Sequence, residues 1–251
     1  MTEEPERNNL SMNFIKSLRE LLLNLLFPRR CPVCDHPVAP FDSLVCTSCK
    51  QTFTYIKQPY CLKCGKPLAR EEQEYCHDCT THRHLFDRGL ALFEYKSVSD
   101  SIYRFKYKGR QEYAAYYASC MAKKLQDFIT NCQADALIPV PIHKSRRYQR
   151  GYNQAEALAR ELSGLTGIPV VTDLIIRSHK TAPMKDLSAS ERQNNLKRAF
   201  KICRNDVKLS TIIIIDDIYT TGSTIDAMSL ELKKAGVKRI YFMTLAIGRG
   251  A

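Results

Sequence analysis

The chain has 251 residues, 44% hydrophobic and 25% charged, with a net charge of +12. That fits a globular protein with room for one α/β domain and a small accessory unit, and it favours polyanionic partners such as nucleic acid or pyrophosphorylated sugars. Two classes drop out at once. No G-x-x-x-x-G-K-[ST] loop occurs, which excludes a P-loop nucleotide hydrolase, and the Leu-rich start of the chain is too interrupted by polar residues to cross a bilayer as a continuous apolar segment.

Residues 1–9 are polar and charged and read as disordered. They lack the basic start of a secretory signal, so thiols are expected to stay reduced. Residues 10–27 read as an amphipathic helix, with Leu10, Phe14, Leu18, Leu21, Leu22, Leu25 and Leu26 at three- and four-residue steps. Lys16, Arg19, Glu20 and Asn24 interrupt it. Docking on the body of the protein or on a second copy is the ordinary reading, and a membrane-surface or partner helix is the alternative.

Residues 31–79 hold an internal repeat. CPVCDHPVAPFDSLVCTSC and CLKCGKPLAREEQEYCHDC each read C-x2-C-x11-C-x2-C. The ligands are Cys31, Cys34, Cys46 and Cys49, then Cys61, Cys64, Cys76 and Cys79. Each C-x-x-C knuckle presents two thiolates, and two knuckles complete a tetrahedral Zn²⁺ site with no open position, which makes the metal structural. Zn²⁺, one ion or two, would fix a segment too short and polar to bury its own core. Spacing alone leaves sequential and crossed pairing open. Cys120, Cys132 and Cys203 stand singly and read as buried small hydrophobes.

Residues 88–95 read as a first strand. After it, Lys106, Lys108 and Arg110 cluster around Gly109, interleaved with Tyr103, Phe105 and Tyr107. Cations among aromatics suit single-stranded nucleic acid, and a half-buried turn with snorkelling lysines suits the same residues. A helix is expected over 113–130 and a strand over 136–140. Pro139 and Pro141 stop that strand, and His143, Lys144, Arg146, Arg147 and Arg150 crowd the loop before a helix at 153–162. Cations at the carboxyl end of an α/β strand make a polyanion site candidate.

Residues 169–176 read as another strand, and the stretch to Phe200 leaves the core. Ser188 with Glu191 makes a capping box that starts a helix near Ala189. His179, Lys180, Arg192 and Lys197 could reach an anionic ligand from this segment. Thr211–Ile225, TIIIIDDIYTTGSTI, is the central stretch. Ile212–Ile215 read as a strand buried on both faces, with Asp216 and Asp217 where it should end. Thr220, Thr221, Gly222, Ser223 and Thr224 let the backbone curl so that N–H groups converge at the start of a helix near Thr224, an arrangement suited to phosphate. The acids suit sugar hydroxyls or a metal ion, and together the parts describe a phosphorylated ribose. A last strand, 239–247, closes the sheet.

IIIIDDIYTTGST resembles the phosphoribosyl pyrophosphate (PRPP) motif of type I phosphoribosyltransferases. That resemblance implies an α/β, Rossmann-like parallel sheet flanked by helices. It assigns Asp216 and Asp217, as catalytic residues, to the ribose 2′- and 3′-hydroxyls, Thr220 to Thr224 to the 5′-phosphate, and Mg²⁺ to the bound PRPP. HKSRRYQRGYNQAEALAREL, LSASERQNNLKRAF and the same acidic strand together resemble the ComF family of bacterial late-competence proteins, which carry this domain behind a zinc ribbon. The family often has T-x-x-Q before L-S, and here Thr181 is followed by Met184. The resemblance places Lys144, Arg146, Arg147 and Arg150 near the pyrophosphate. It divides the chain into a disordered start and helix (1–30), a zinc-ribbon domain (31–84) and a phosphoribosyltransferase-like domain (85–251). Three functions follow from it: a PRPP-holding protein of DNA uptake that binds single strands through Lys106, Lys108 and Arg110, an active transferase to a nitrogen acceptor, or a PRPP sensor. Competence DNA-translocation proteins are the partners expected for the first. The expected place is the cytoplasm, with the inner face of the membrane beside a translocation complex as one site of action, and no integral membrane segment.

Overall fold

The computed structural model describes residues 27–40, 43–178, 199–204 and 208–248. The helix expected at 10–27, the capping box at Ser188, and His179, Lys180, Arg192 and Lys197 lie outside the described residues or, for Phe27, at their edge. Close contacts divide the chain into two units, Met1–Lys50 and Gln51–Ala251. The division runs between the two cysteine repeats, so the second repeat shares a unit with the sheet.

In the first unit Cys31–Cys34 form a knuckle. Cys31 N–H donates to His36 O at 2.8 Å and Asp35 N–H to Cys31 O at 2.9 Å. Asp35 takes a left-handed φ of 60°. A 3-10 turn, Thr47–Cys49, carries the other pair.

The second unit is built on four parallel strands, β1 (Arg88–Glu94), β2 (Ala136–Pro139), β5 (Thr211–Tyr219) and β6 (Arg239–Ile247), in the order β1-β6-β5-β2. Two short strands, β3 (Ile175–Arg177) and β4 (Phe200–Ile202), form a separate antiparallel ribbon. Ile212 to Ile215 are fully buried, as a parallel strand covered on both faces requires. Asp135 sets the start of β5 by accepting the N–H groups of Ser210 and Thr211 at 2.7 and 2.8 Å.

Helices α2 (Tyr95–Tyr107), α3 (Tyr113–Lys124), α4 (Gln126–Cys132), α6 (Gln154–Thr166) and α7 (Ser223–Lys234) bury a face in this domain, whereas the short helices α1 (His77–Thr81) and α5 (Lys144–Arg150) bury no residue. The helix expected over 113–130 is two, broken at Leu125. The strand expected over 169–176 is also two pieces. Val170 makes one bridge to Leu137 at the sheet edge, and only Ile175–Arg177 is a strand, paired elsewhere. The polar pair Thr172-Asp173 lies between them.

Candidate functional site: the carboxyl end of β5

The acids do not end β5. The strand runs on through Asp216 and Asp217 to Tyr219, because β6 is equally long and pairs with it as far as Tyr219↔Ile247. On its other side β2 stops at Pro139↔Ile215. From Asp216 onward, then, β5 is paired on one edge only, and the acids sit where the sheet opens.

Asp216 is half-buried and accepts the N–H of Asp217 at 2.8 Å. Burial first, and the neighbouring Asp217 carboxylate second, push its carboxyl up to about 7. The Asp217 N–H, the Lys106 ammonium and the Arg177 guanidinium pull the other way. Asp217 pairs with Lys106 Nζ at 2.9 Å, both side chains largely buried. Arg177, on β3, is held below its ordinary value by burial and then by Arg146. Asp217 thus has a cation from a distant segment against it, and Asp216 feels the charge of Arg177 at the open edge of the sheet.

The cations after β2 form helix α5 rather than the expected loop. His143 caps it, its Nδ1 taking the Ser145 N–H at 3.2 Å, and Gly151 ends it at φ 81°. Arg, Lys and Gln are good helix formers, so a short turn of helix is their natural state. The following residues pin this excursion to the sheet. Tyr152 donates its hydroxyl to Phe105 O. Asn153 donates to Val140 O at 3.0 Å while its own carbonyl caps α6 through Ala155 N–H at 3.1 Å. Arg150 lies over the Tyr107 ring at 4.8 Å and donates to its hydroxyl at 3.1 Å and to Gln154 at 3.0 Å. Arg147 pairs with Glu156 at 3.4 Å. Lys144 and Arg146 are exposed.

The turn after β5 needs its glycine. Gly222 has φ 80°, and a Cβ there would lie 2.6 Å from the Tyr219 hydroxyl and 3.0 Å from His84 Cε1. Thr221 and Ser223 hydroxyls bond each other at 2.7 Å, and Ser223 begins α7. Thr220 is exposed and Thr224 half-buried.

Each cysteine repeat gathers its own four ligands, which settles the pairing as sequential. Within each set the sulfur atoms lie within 4.8 Å of one another. Cys34 to Cys46 is 3.9 Å and Cys64 to Cys76 is 3.6 Å. A tetrahedral Zn²⁺ with ~2.3 Å bonds needs sulfurs about 3.8 Å apart, so both sets have the donor number and spacing of a structural zinc site. The single cysteines differ among themselves. Cys132 is buried and its thiol is pushed up to about 12 by burial, Cys120 is half-buried and accepts the Tyr55 hydroxyl at 3.5 Å, and Cys203 is exposed, against expectation. Cys203 follows a three-residue strand of the outlying ribbon, whose burial alternates and then ends.

The double zinc ribbon domain family matches residues 22–80, and the phosphoribosyl transferase domain family matches residues 148–251. Competence protein F of Haemophilus influenzae is 30% identical over 226 residues, covering 88% of this chain and 97% of its own length. The chain belongs to the ComF family. Competence protein ComFC of Bacillus subtilis is 29% identical over 81% of this chain and 84% of its own. DNA utilization protein YhgH of Escherichia coli K12 is 27% identical over 88% and 98%. The fold class expected from the sequence, a parallel sheet flanked by helices with an N-terminal zinc ribbon, therefore holds for this ComF chain.

Three residues of the site escaped sequence reasoning in these roles. Lys106 read as part of a nucleic-acid stripe, yet it faces Asp217. Arg177 had no motif, and its position just after Ile175-Ile176 was the only clue. His84 belongs to no sequence pattern, and it packs beside Gly222. Lys108 is exposed on the surface next to Tyr107, and Arg110 is half-buried. Among the described residues no helix is long and apolar enough to cross a membrane.

Proposed function

We propose that this protein binds PRPP with Mg²⁺ at the carboxyl end of β5 and handles single-stranded DNA during natural competence. The observation that carries the reading is the acid pair of β5 lying one short turn from Gly222 and the start of α7, with Lys106 paired to Asp217 and the charge of Arg177 felt at Asp216. Asp216 and Asp217 would hold the ribose hydroxyls, and the backbone N–H groups of residues 220–224 the 5′-phosphate. Arg150, Arg146, Arg147 and Lys144 would face the pyrophosphate from α5. Carboxylates in this setting suit a hard cation carried in with the ligand, and Mg²⁺ would neutralise the pyrophosphate oxygens when bound.

The DNA part draws on the relatives' names, on the +12 charge, and on an exposed aromatic pair. Tyr103 and Tyr107 are 54% and 48% exposed with ring centroids 5.2 Å apart, beside Lys108. Rings on which bases stack, flanked by cations, suit a single strand. Such a protein acts in the cytoplasm, beside translocation proteins at the inner face of the membrane.

Calorimetric titration of PRPP and Mg²⁺ tests this, on wild type and on Asp216→Asn/Asp217→Asn, with and without a bound oligonucleotide. Heat in wild type and none in the double variant is the expected result. No heat in wild type overturns the PRPP reading. Pyrophosphate release with nitrogen bases added, lost in the same variant, would move the protein to the enzyme reading.

A further inference from the structure

The second cysteine repeat is joined to the phosphate turn by a short relay of side chains. Cys61 and Cys64 are fully buried, in the same core cluster as Phe86, Tyr219, Met228 and Phe242. Helix α1 carries Cys79, and the chain reaches His84 a few residues later. There Asp226, in the first turn of α7, accepts twice: from His84 Nδ1 at 2.7 Å and from Leu85 N–H at 2.8 Å. The His84 ring stacks on Phe86 at 4.7 Å and its Cε1 stands against Gly222. Phe86 in turn meets Tyr219 and Phe242 edge-on at 6.2 and 4.9 Å, and Tyr219 lies flat on Phe242 at 4.7 Å. The residues on both sides of the turn, Tyr219 before it and Asp226 after it, are thus fixed by the segment 84–86.

We infer that His84 and Asp226 form a latch through which the second cysteine cluster sets the shape of the phosphate-binding turn. The inference rests on the PRPP reading for its ligand, and on the geometry alone for the latch. His84 is a positioning residue, since it acts on the turn and on α7. A bidentate carboxylate in the first turn of a helix is well placed for the task. It suits the positive end of the helix, and its two bonds fix direction as well as distance. The side chain of His84 is 3% exposed, so water competes little for the histidine side of the pair. Among the described residues, these ties to the turn come from the chain that follows the second cluster. The phosphate turn should therefore depend on one cluster of the two.

The test reads local order and ligand binding separately, in the full-length zinc-loaded protein. Hydrogen exchange is followed at the amides of residues 220–228, and PRPP with Mg²⁺ is titrated in parallel. His84→Leu is expected to speed exchange there and to weaken PRPP by about tenfold or more, the scale of a lost positioning contact. His84→Asn, whose amide can donate where Nδ1 did, should restore both to within about threefold. Cys79→Ser should resemble His84→Leu, and Cys49→Ser should resemble wild type. Met121→Ala, in the buried face of α3, controls for general loss of stability and should leave exchange at 220–228 and PRPP binding unchanged. Exchange in His84→Leu no faster than in the Met121→Ala control overturns the latch. Faster exchange in His84→Leu, in a protein whose wild type takes no PRPP, keeps the latch and removes the PRPP reading instead.

Discussion

The first knuckles of the two cysteine repeats share their backbone bonds and live in different surroundings. Cys61 N–H donates to Lys66 O at 2.8 Å and Gly65 N–H to Cys61 O at 2.9 Å, the same bonds that Cys31, His36 and Asp35 make thirty residues earlier. Val38 donates to Arg29 O and Leu68 to Pro59 O, both at 2.9 Å. At the left-handed position of the knuckle the first repeat has Asp35 and the second Gly65, at φ 60° and 75°. The second needs glycine. A Cβ on Gly65 would stand 3.0 Å from Gly89 O and from Leu90 Cα, because the knuckle lies on the backbone of β1. Gly89 donates to Lys63 O at 2.9 Å, and a Cβ on Gly89 would strike the Phe242 ring at 2.1 Å. One motif therefore yields two objects: a metal-dependent unit and a piece of another domain's core. A ligand pattern fixes the knuckle, and the residues between the ligands decide what the knuckle packs on.

The largest effect that could break this contrast is metal loss. Cys61→Ser/Cys64→Ser should cost more than about 3 kcal/mol and broaden the main unfolding transition, since two buried thiols lose a metal that organises the core. Cys31→Ser/Cys34→Ser should leave the main transition in place. Calorimetry with zinc counting decides it. One zinc should be lost in each variant, and equal melting shifts would make the two repeats equivalent.

A smaller and sharper test exchanges the knuckle residues. Gly65→Ala should cost about 2 kcal/mol, from the strained φ and the contact with β1. Asp35→Gly, where the chain already carries a side chain at φ 60°, should cost less than Gly65→Ala, measured by denaturant unfolding with zinc present.

The site that the second repeat supports has its own pH signature. Asp216 titrates near 7 in the fold and at 3.8 when its surroundings are ordinary, so between those values the folded chain holds the extra proton. Stability from this group is therefore present at low pH and lost as pH rises from about 4 to 7. Asp216→Asn should remove that fall and stabilise the protein at pH 8 by roughly 2 kcal/mol, allowing for solvent screening, with little effect at pH 4. PRPP and Mg²⁺ binding should run the other way, weakening as pH falls below about 7, because the proton competes with the ligand. Titrations at pH 6 and pH 8 check the sign. The smallest effect expected is on DNA. Lys108→Glu should weaken single-strand binding slightly and lower the salt slope by about one, read by anisotropy across a salt series.

Much of this was legible in the sequence. The four C-x-x-C pairs, the apolar run before Asp216-Asp217 and the small residues after it each impose local geometry: a knuckle, a doubly covered strand, a turn at a helix start. R-G-Y-N-Q also acts locally in part, through the left-handed Gly151 and the Asn153 cap. The strand's continuation to Tyr219 was not legible, because it depends on how far β6 runs beside it and how early β2 stops. Lys106 pairs with Asp217 over a separation of 111 residues (217 − 106), and Arg177 acts electrostatically on Asp216 over 39 (216 − 177), which no periodicity encodes. Likewise His84 meets Asp226 across 142 residues. Short-range stereochemistry belongs to the sequence because neighbouring residues enforce it on each other. The charges that tune Asp216 and the glycine contacts that seat the second knuckle on β1 exist only once strands of distant origin are packed, so the tertiary structure alone decided them.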